Sequence, residues 1–302
     1  TTGSIALLAC VCGDYMSAVV PLGTYSAALW GALAVVVLTW LNARGIHASA
    51  SAQSWLTLAE VLGLVLVVVA GLWLWGSAGH RMPLPDAAVA QGSGMPAPGM
   101  LGLAMVFVLL TYGGWNEAAY LSAELRGSRR GILHALVISL TLITALYLLV
   151  NGAYVYGLGI QGMARSEAVA ADLLRVAFGR TGETLIAIMV AVAALTSINA
   201  TMIVGARTNF AVGRDWPQLH WLGRWEGARG VPAVALYAQS ALALALVVLG
   251  GSLRSGFQTM VDYTAPVFWT FFLLCTLALI VLRRKESAAE RPFKVPLYPL
   301  LP

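Results

Sequence analysis

Eight long apolar runs constrain the fold of this chain more than any other feature of its sequence. Each is close to the roughly 18–20 apolar residues that a helix needs to cross a bilayer. Lipid offers backbone groups no hydrogen-bond partners, so runs of this length must be helical. The runs occupy residues 3–20, 27–43, 54–76, 101–124, 132–157, 181–208, 231–250 and 259–282.

The composition supports the same class. Hydrophobic residues make up 59% of the chain and charged residues 10%, whereas soluble proteins carry about 25% charged residues. The mean hydropathy is +0.81. The sequence therefore predicts an all-α polytopic membrane protein with about eight transmembrane helices. We expect residues 1–302 to form a single transmembrane domain, inserted as a multi-pass protein in the inner or plasma membrane of the cell.

The basic residues are distributed unequally between alternate loops. Thirteen of the 18 Lys and Arg residues fall in one set of loops and five in the other. By the positive-inside rule the richer set faces the cytoplasm. The larger set comprises Arg44, Arg126, Arg129, Arg130, Arg207, Arg214, Arg224, Arg229, Arg283, Arg284, Lys285, Arg291 and Lys294, and the smaller comprises Arg81, Arg165, Arg175, Arg180 and Arg254.

Several other functions are disfavoured by the sequence. The net charge of +5 lies in loops between apolar runs, so it indicates topology and not a nucleic-acid surface. The sequence contains no nucleotide-binding G-x-x-x-x-G-K-[ST] stretch, and its four histidines are scattered. Its three cysteines lie in apolar runs, so they suggest neither a disulfide framework nor a metal site. We therefore expect no enzyme, no cofactor, no metal and no nucleic-acid partner.

The fourth run contains a glycine pair, Gly113-Gly114, followed by the polar residues Asn116 and Glu117. Glycine loosens a helix, and freed backbone groups at membrane depth survive only where they face protein or a polar cavity. One interpretation is a kink or a close helix crossing, since glycine is common in membrane helices. The other is a break that opens onto a substrate cavity, which the neighbouring carboxylate favours.

Four stretches in the same order resemble the amino acid–polyamine–organocation (APC) superfamily of amino-acid permeases. Residues 111–132, TYGGWNEAAYLSAELRGSRRGI, resemble its sixth helix, and Asn151-Gly152-Ala153-Tyr154 resembles the end of its seventh. Residues 197–215, SINATMIVGARTNFAVGRD, resemble its eighth helix. Residues 290–302, ERPFKVPLYPLLP, resemble the loop after its tenth helix.

The resemblance implies an inverted-repeat, leucine-transporter-like fold in which the broken first and sixth helices form the substrate site. The chain would then hold helices three to ten, truncated at both ends and lacking the first two helices and the last. The implied function is secondary active transport of an amino acid or related amine by alternating access, either proton-coupled or by exchange. A permease-derived channel or a non-transporting membrane scaffold is the alternative. Without the first helix, we expect the apolar faces of 101–112 and 185–200 to contact no other helix.

The resemblance also assigns a candidate substrate site at the break. Carbonyl groups freed at the negative end of the outer half-helix would accept hydrogen bonds from a substrate ammonium. Trp115 is either an aromatic gate over the substrate or ordinary packing, and Asn116 is expected to stabilise the break by a hydrogen bond between helices. The predicted substrate-binding residues are Leu110, Thr111, Tyr112, Gly113, Gly114, Trp115 and Asn116.

Glu60 departs from the family pattern, because many relatives carry at this fifth-helix position a lysine that stands in for a sodium ion. In SWLTLAEVLGLV the carboxyl lies about two turns, roughly 10 Å, from the predicted cytoplasmic helix end. Desolvation should raise its proton affinity unless a cation lies close. Glu60 is then either a residue that couples transport to a proton or sodium ion, or a buried carboxyl paired with the eighth helix. The predicted coupling set is Glu60, Thr196, Ser197 and Asn199.

Overall fold

The computed structural model describes residues 2–77, 129–166, 168–228, 230–251 and 256–286, together with Leu101, Gly102, Met105, Val108, Thr111 and Gly114. Within these residues the regular secondary structure is helical. The α-helices are α1 (Thr2–Val19), α2 (Ser26–Ala43), α3 (Ile46–Ser77), α4 (Arg129–Arg165), α5 (Val169–Phe178), α6 (Arg180–Asp215), α7 (Ala233–Gly251) and α8 (Gly256–Lys285). A short 3-10 helix, Pro217–Gly223, follows α6, and residues Glu226 and Val231 form an isolated antiparallel bridge.

Six helices among the described residues are long and apolar enough to cross a bilayer. They correspond to six of the eight predicted segments, and the predicted 259–282 segment lies inside α8. The predicted 101–124 segment falls mostly outside the described residues. The all-α polytopic membrane architecture predicted from the sequence is confirmed.

The start of α3 was predicted wrongly. The helix begins at Ile46, eight residues before the predicted residue 54, because the stretch HASASAQS lacks the apolar pattern that marks a span. These small polar residues are helical because one face packs against α6, where Ser49 is 1% exposed. Glu60 consequently lies fourteen residues from the helix start, about 21 Å at 1.5 Å per residue, and not the 10 Å predicted.

Helices approach closely where one of them carries glycine. A Cβ at Gly13 would overlap the backbone of Ala27, and one at Gly31 would lie 2.6 Å from the Ala9 carbonyl oxygen, so α1 and α2 run antiparallel. A Cβ at Gly71 on α3 would likewise overlap Ala153 on α4. Without a hydrophobic drive between helices in lipid, such close backbone approach is a main source of association.

Helices α3 and α4 run parallel to each other. Gly71 meets Ala153, and Leu74, three residues further along α3, meets Gly157, four residues further along α4. Parallel neighbours begin on the same side of the bilayer, which agrees with the single span that the sequence predicts between them. The same comparison shows α3 and α6 to be antiparallel, since Gln53 meets Asn199 and Gly63 meets Met189.

Most of the buried apolar side chains among the described residues form two clusters joined by α6. We call the first the scaffold core, and it includes Ile5, Ala9, Val35, Leu38, Ile198, Met202, Ala243 and Val247, from α1, α2, α6 and α7. The second is the α3–α5 core, and it comprises Val67, Ala70, Val150, Ala153, Leu173, Leu174 and Ile186. Because α6 contributes to both clusters, it connects the two parts of the molecule.

The apolar spacing of QGMARSEAVAADLLRVAFG within residues 161–180 predicts a short surface helix, and the observed helix differs in its bounds. α4 continues to Arg165 through a kink at Gly159, whose φ of 69° is left-handed and favours glycine, and α5 then spans only Val169–Phe178. α5 is amphipathic, and its Leu173 and Leu174 are 0% exposed in the α3–α5 core. One face of α5 therefore packs into the core, while the other face, which carries Val176, is exposed.

The expectation that the face of 185–200 contacts no other helix was wrong for most of that stretch. Leu185 and Ile188 are 36% and 43% exposed, but Ala191, Ala194 and Ile198 are at most 4% exposed in the scaffold core. Packing of α6 against α1 covers these residues. Most of the other face, 101–112, lies outside the described residues.

Candidate functional site

The predicted break in the fourth segment is described at two positions. Thr111 is helical and exposed, whereas Gly114 lies in a turn with a φ of 93°. This left-handed value strongly favours glycine, so the backbone has left the helix by Gly114. The other predicted substrate-binding residues, Leu110, Tyr112, Gly113, Trp115 and Asn116, lie outside the described residues.

Tyr147 on α4 reaches the break. Its hydroxyl donates a hydrogen bond to the Thr111 carbonyl oxygen over 3.1 Å. The contact ties α4 to the last described helical residue before the break. Tyr147 was not predicted from the sequence, because an aromatic residue inside an apolar run is typical of ordinary packing. The signal that could have found it is its polar hydroxyl, which needs a partner inside a membrane helix.

Glu60 is half-buried on α3. The Gln53–Asn199 and Gly63–Met189 contacts on either side of it place Glu60 beside Val192 and Thr196 of α6. Thr196 is 6% exposed, and its hydroxyl donates to the Val192 carbonyl oxygen over 2.9 Å. Within the described residues Glu60 has no Lys, Arg or His nitrogen within 4 Å. The structure therefore brings together two of the four residues predicted as the coupling set.

Asn199 belongs to a different cluster, one turn further along α6. It is fully buried, and its amide donates to the Gln53 side-chain oxygen over 2.8 Å and to the Ser49 carbonyl oxygen over 3.3 Å. The Asn42 amide donates to the Asn199 side-chain oxygen over 2.7 Å and to the Leu38 carbonyl oxygen over 2.8 Å. We call Asn42, Gln53 and Asn199 the amide cluster. It joins α2, α3 and α6.

Only one of these three amides, Asn199, was predicted from the sequence. Asn42 sits where the second apolar run ends, so it looked like a helix terminus, and Gln53 fell before the predicted start of the third helix. Ser197, the fourth member of the predicted coupling set, is half-buried, and its backbone carbonyl accepts a hydrogen bond from Thr201 over 2.8 Å. The described residues contain no group of three or more His, Cys, Asp or Glu side chains that could hold a metal ion.

A second set of polar contacts joins the scaffold helices. The Thr39 hydroxyl on α2 donates to the Ser240 hydroxyl on α7 over 2.8 Å. The Gln239 side-chain oxygen on α7 accepts from the Asn209 amide on α6 over 3.1 Å. These contacts lie within the helices that form the scaffold core and do not involve α3.

Comparison with known proteins identifies a matching family and several similar proteins. A family model described as amino acid permease matches residues 2–301. The b(0,+)-type amino acid transporter 1 of Mus musculus is 27% identical over 274 residues, which cover 89% of this chain and 53% of that protein. The large neutral amino acids transporter small subunit 2 of Homo sapiens is 27% identical over 281 residues, covering 90% of this chain and 50% of that protein. The chain thus spans about half the length of the curated relatives it matches.

Proposed function

The chain belongs to the amino acid permease family, and from this membership we propose that it takes part in secondary active transport of an amino acid or a related amine. It is a multi-pass protein of the cell membrane. The observation that carries the proposal is the family match over residues 2–301. We further propose that residues 1–302 correspond to helices three to ten of one transmembrane domain with the inverted-repeat arrangement. A family of permeases also favours a transporter over an enzyme.

We propose that the substrate ammonium binds at the break near Gly114. Thr111 is exposed just before the break, and its carbonyl oxygen lies beside the Tyr147 hydroxyl. A carbonyl at the end of a half-helix carries partial negative charge, so it attracts a cation. Leu110, Tyr112, Gly113, Trp115 and Asn116 complete the proposed site.

We propose that Glu60 carries the coupling proton and that Thr196 serves both of its protonation states. When Glu60 is neutral, its O–H would donate to the Thr196 hydroxyl oxygen, because the hydroxyl itself donates to the Val192 carbonyl oxygen. When Glu60 is ionised, rotation of the hydroxyl lets Thr196 donate to the carboxylate. The contact therefore survives proton loss, which a coupling residue inside a membrane requires.

The charged and titratable groups on the helices packed against α3 are grouped towards the helix ends. They are Arg44 directly after α2, Arg129, Arg130, His134 and Arg165 on α4, Asp172 and Arg175 on α5, and Arg180, Glu183, Arg207, Arg214 and Asp215 on α6. Tyr147, Tyr154 and Tyr156 on α4 carry phenolic hydroxyl groups. In the described part of the structure none of the cations forms an ion pair with Glu60, so a proton is the simplest neutralising charge.

Uptake by the natural full-length protein in proteoliposomes tests the proposed transport. The relatives' names include a transporter of large neutral amino acids, so labelled neutral amino acids are the first substrates to test. We expect saturable uptake that unlabelled substrate inhibits and that a gradient or a counter-substrate drives. Flux that does not saturate would identify a channel, and no flux with any amino acid or amine would favour a non-transporting scaffold.

A further inference from the structure

Two pairs of polar residues lie in the antiparallel seam between α3 and α6. The Asn199 amide donates to the Gln53 side-chain oxygen, and Glu60 lies beside Thr196 between this contact and the Gly63–Met189 contact. Gln53 and Glu60 are seven residues apart, which is close to two helical turns and about 10 Å along one face of α3. Thr196 and Asn199 are three residues apart and share a face of α6. Both pairs therefore depend on the same register between the two helices.

The amide cluster admits only one arrangement of its donors. Both amide hydrogens of Asn42 are used, on Leu38 and Asn199, and both amide hydrogens of Asn199 are used, on Ser49 and Gln53. Asn42 and Asn199 are 4% and 0% exposed, so water cannot replace a lost partner. Sliding α3 by one residue would turn Gln53 by about 100° and remove it from Asn199. The cluster thus specifies one register of α3 against α6.

Apolar packing contributes little to that register near Glu60. Between residues 54 and 62 of α3, Leu56 and Glu60 are half-buried and every other residue is exposed. The next buried residue is Gly63, whose neighbour is the flexible side chain of Met189. The stretch that carries Glu60 is therefore anchored by the amide cluster before it, and by the α3–α5 core only beyond Gly63.

We propose that Gln53, with Asn199 and Asn42, is a positioning residue that holds the Glu60 carboxyl at Thr196. Gln53 does not touch the proton or the substrate; it fixes the register in which Glu60 meets α6. The amides also tie this register to α2 and hence to the scaffold core. The expected effect of Gln53 on proton-coupled uptake rests on the proposed coupling role of Glu60. The expected effect of Gln53 on the position of Glu60 relative to α6 does not.

Cross-linking measures the register directly. In the natural full-length protein without its native cysteines, single cysteines replace Glu60 and Thr196, and a short thiol-specific cross-linker joins them. We expect Gln53→Leu to slow cross-linking by about threefold, the effect of losing one typical hydrogen bond between membrane helices. Thr39→Val is the matched control, because it removes the Thr39–Ser240 bond between α2 and α7 and leaves α3 untouched. A cross-linking rate that Gln53→Leu leaves unchanged would overturn the proposal.

A second readout separates positioning from general stability. With Glu60 and Thr196 intact, Gln53→Leu should weaken the response of net uptake to a proton gradient by about the same threefold factor and leave substrate exchange unchanged. Thr39→Val should not change the ratio of the two rates. If Gln53→Leu does not reach the membrane, Gln53→Asn, whose amide is one methylene shorter, replaces it in both assays.

The results also distinguish this inference from the proposed function. If Glu60→Gln alters gradient-driven uptake but Gln53→Leu alters neither uptake nor cross-linking, Glu60 couples transport and Gln53 does not position it. If Glu60→Gln has no effect on uptake while Gln53→Leu still slows cross-linking, the positioning role holds and the coupling role is wrong.

Discussion

At the scale of single residues, the polar groups between α3 and α6 form two separate sites. One contains the Glu60 carboxyl and the other contains the Asn199 amide, although both residues were predicted from the sequence to belong to one coupling set. Glu60 lies at Thr196, while Asn199 lies in the amide cluster with Gln53 and Asn42. The two sites make different demands on their side chains. We propose that the Glu60 contact tolerates both protonation states, whereas every amide hydrogen of Asn42 and Asn199 has an acceptor in the structure. The Glu60 site is therefore suited to a change of protonation state, and the amide cluster is suited to holding one fixed helix register.

Replacing Glu60 by Gln tests the coupling role. The amide keeps the size and hydrogen bonding of the side chain but cannot bind or release a proton, so acceleration of net uptake by an inward proton gradient should be lost. Exchange of labelled for unlabelled substrate should survive, because it requires no net proton movement. Both rates are measured in proteoliposomes with and without a pH gradient.

Glu183→Gln is the control for that measurement. Glu183 pairs with Arg175 at 3.1 Å near the start of α6, and both side chains are well exposed. Exposed ion pairs contribute little, so this variant should transport like the unmodified protein. Gradient-driven uptake that persists in Glu60→Gln would make Glu60 a structural residue.

At the scale of helices, close contacts through glycine hold α3 against α4. Gly71 is buried, and its missing side chain lets the backbone of α4 approach at Ala153. Gly152, the neighbour of Ala153, has nothing within 4 Å of where its Cβ would lie. Two glycines in the same seam therefore have opposite tolerances for one added carbon.

Gly71→Ala should destabilise the protein by about 1–3 kcal/mol, because the added carbon overlaps Ala153 and forces the helices apart. Gly152→Ala meets open space and should be neutral or stabilise α4 by up to about 1 kcal/mol. Thermal unfolding of the two purified variants in detergent measures the difference. Equal melting temperatures for both variants would mean that α3 and α4 do not pack through Gly71.

The packing of the short helix α5 leads to a second prediction at this scale. Leu173 is fully buried between α3, α4 and α6, so Leu173→Ala should lower the free energy of unfolding by about 2–5 kcal/mol. Val176 on the same helix is 57% exposed, and Val176→Ala should change the stability by less than about 0.5 kcal/mol. Denaturation of both variants measures the two effects. If Leu173→Ala lowered the free energy of unfolding only slightly, α5 would not be held by the core and would lie on the surface, as the sequence predicted.

At the scale of the whole molecule, the packing directions and the charge pattern describe one topology. The helices α3 and α4 are parallel, α3 and α6 are antiparallel, and α1 and α2 are antiparallel. In this arrangement the link between α4 and α5 and the 3-10 helix after α6 lie on opposite sides of the bilayer. The positive-inside rule assigns the 3-10 helix to the cytoplasm.

Cysteine labelling in intact cells tests the sidedness. Ala168 before α5 and Gln218 in the 3-10 helix are both exposed. In a protein without native cysteines, Ala168→Cys should react with a membrane-impermeant reagent added outside, and Gln218→Cys only after permeabilisation. Reaction of both from the same side would contradict the topology. A cysteine at Gly223 would be a poor probe, because its Cβ would lie 2.9 Å from the Gly213 carbonyl oxygen.

The sequence by itself determined the class, the family and most of the spans, because membrane insertion depends on local properties. An apolar run of sufficient length must be helical in lipid wherever it lies, so 27–43 was predicted within a residue of the observed Ser26–Ala43. The prediction failed at the start of α3, where small polar residues are helical only because α6 covers them.

Only the tertiary structure decided which polar side chains meet. Thr39 and Ser240 are 201 residues apart in the chain, Asn42 and Asn199 are 157 apart, and Gln53 and Asn199 are 146 apart. The partner of an amide or hydroxyl is set by the direction, register and rotation of two separate helices, none of which is encoded in the residues around it. The same holds for the contact of Tyr147 with Thr111 and for the position of Glu60 beside Thr196, because each pair comes from two separate segments. The residues of the site could be nominated from their chemistry, but their pairing followed from the packing of α3, α4 and α6.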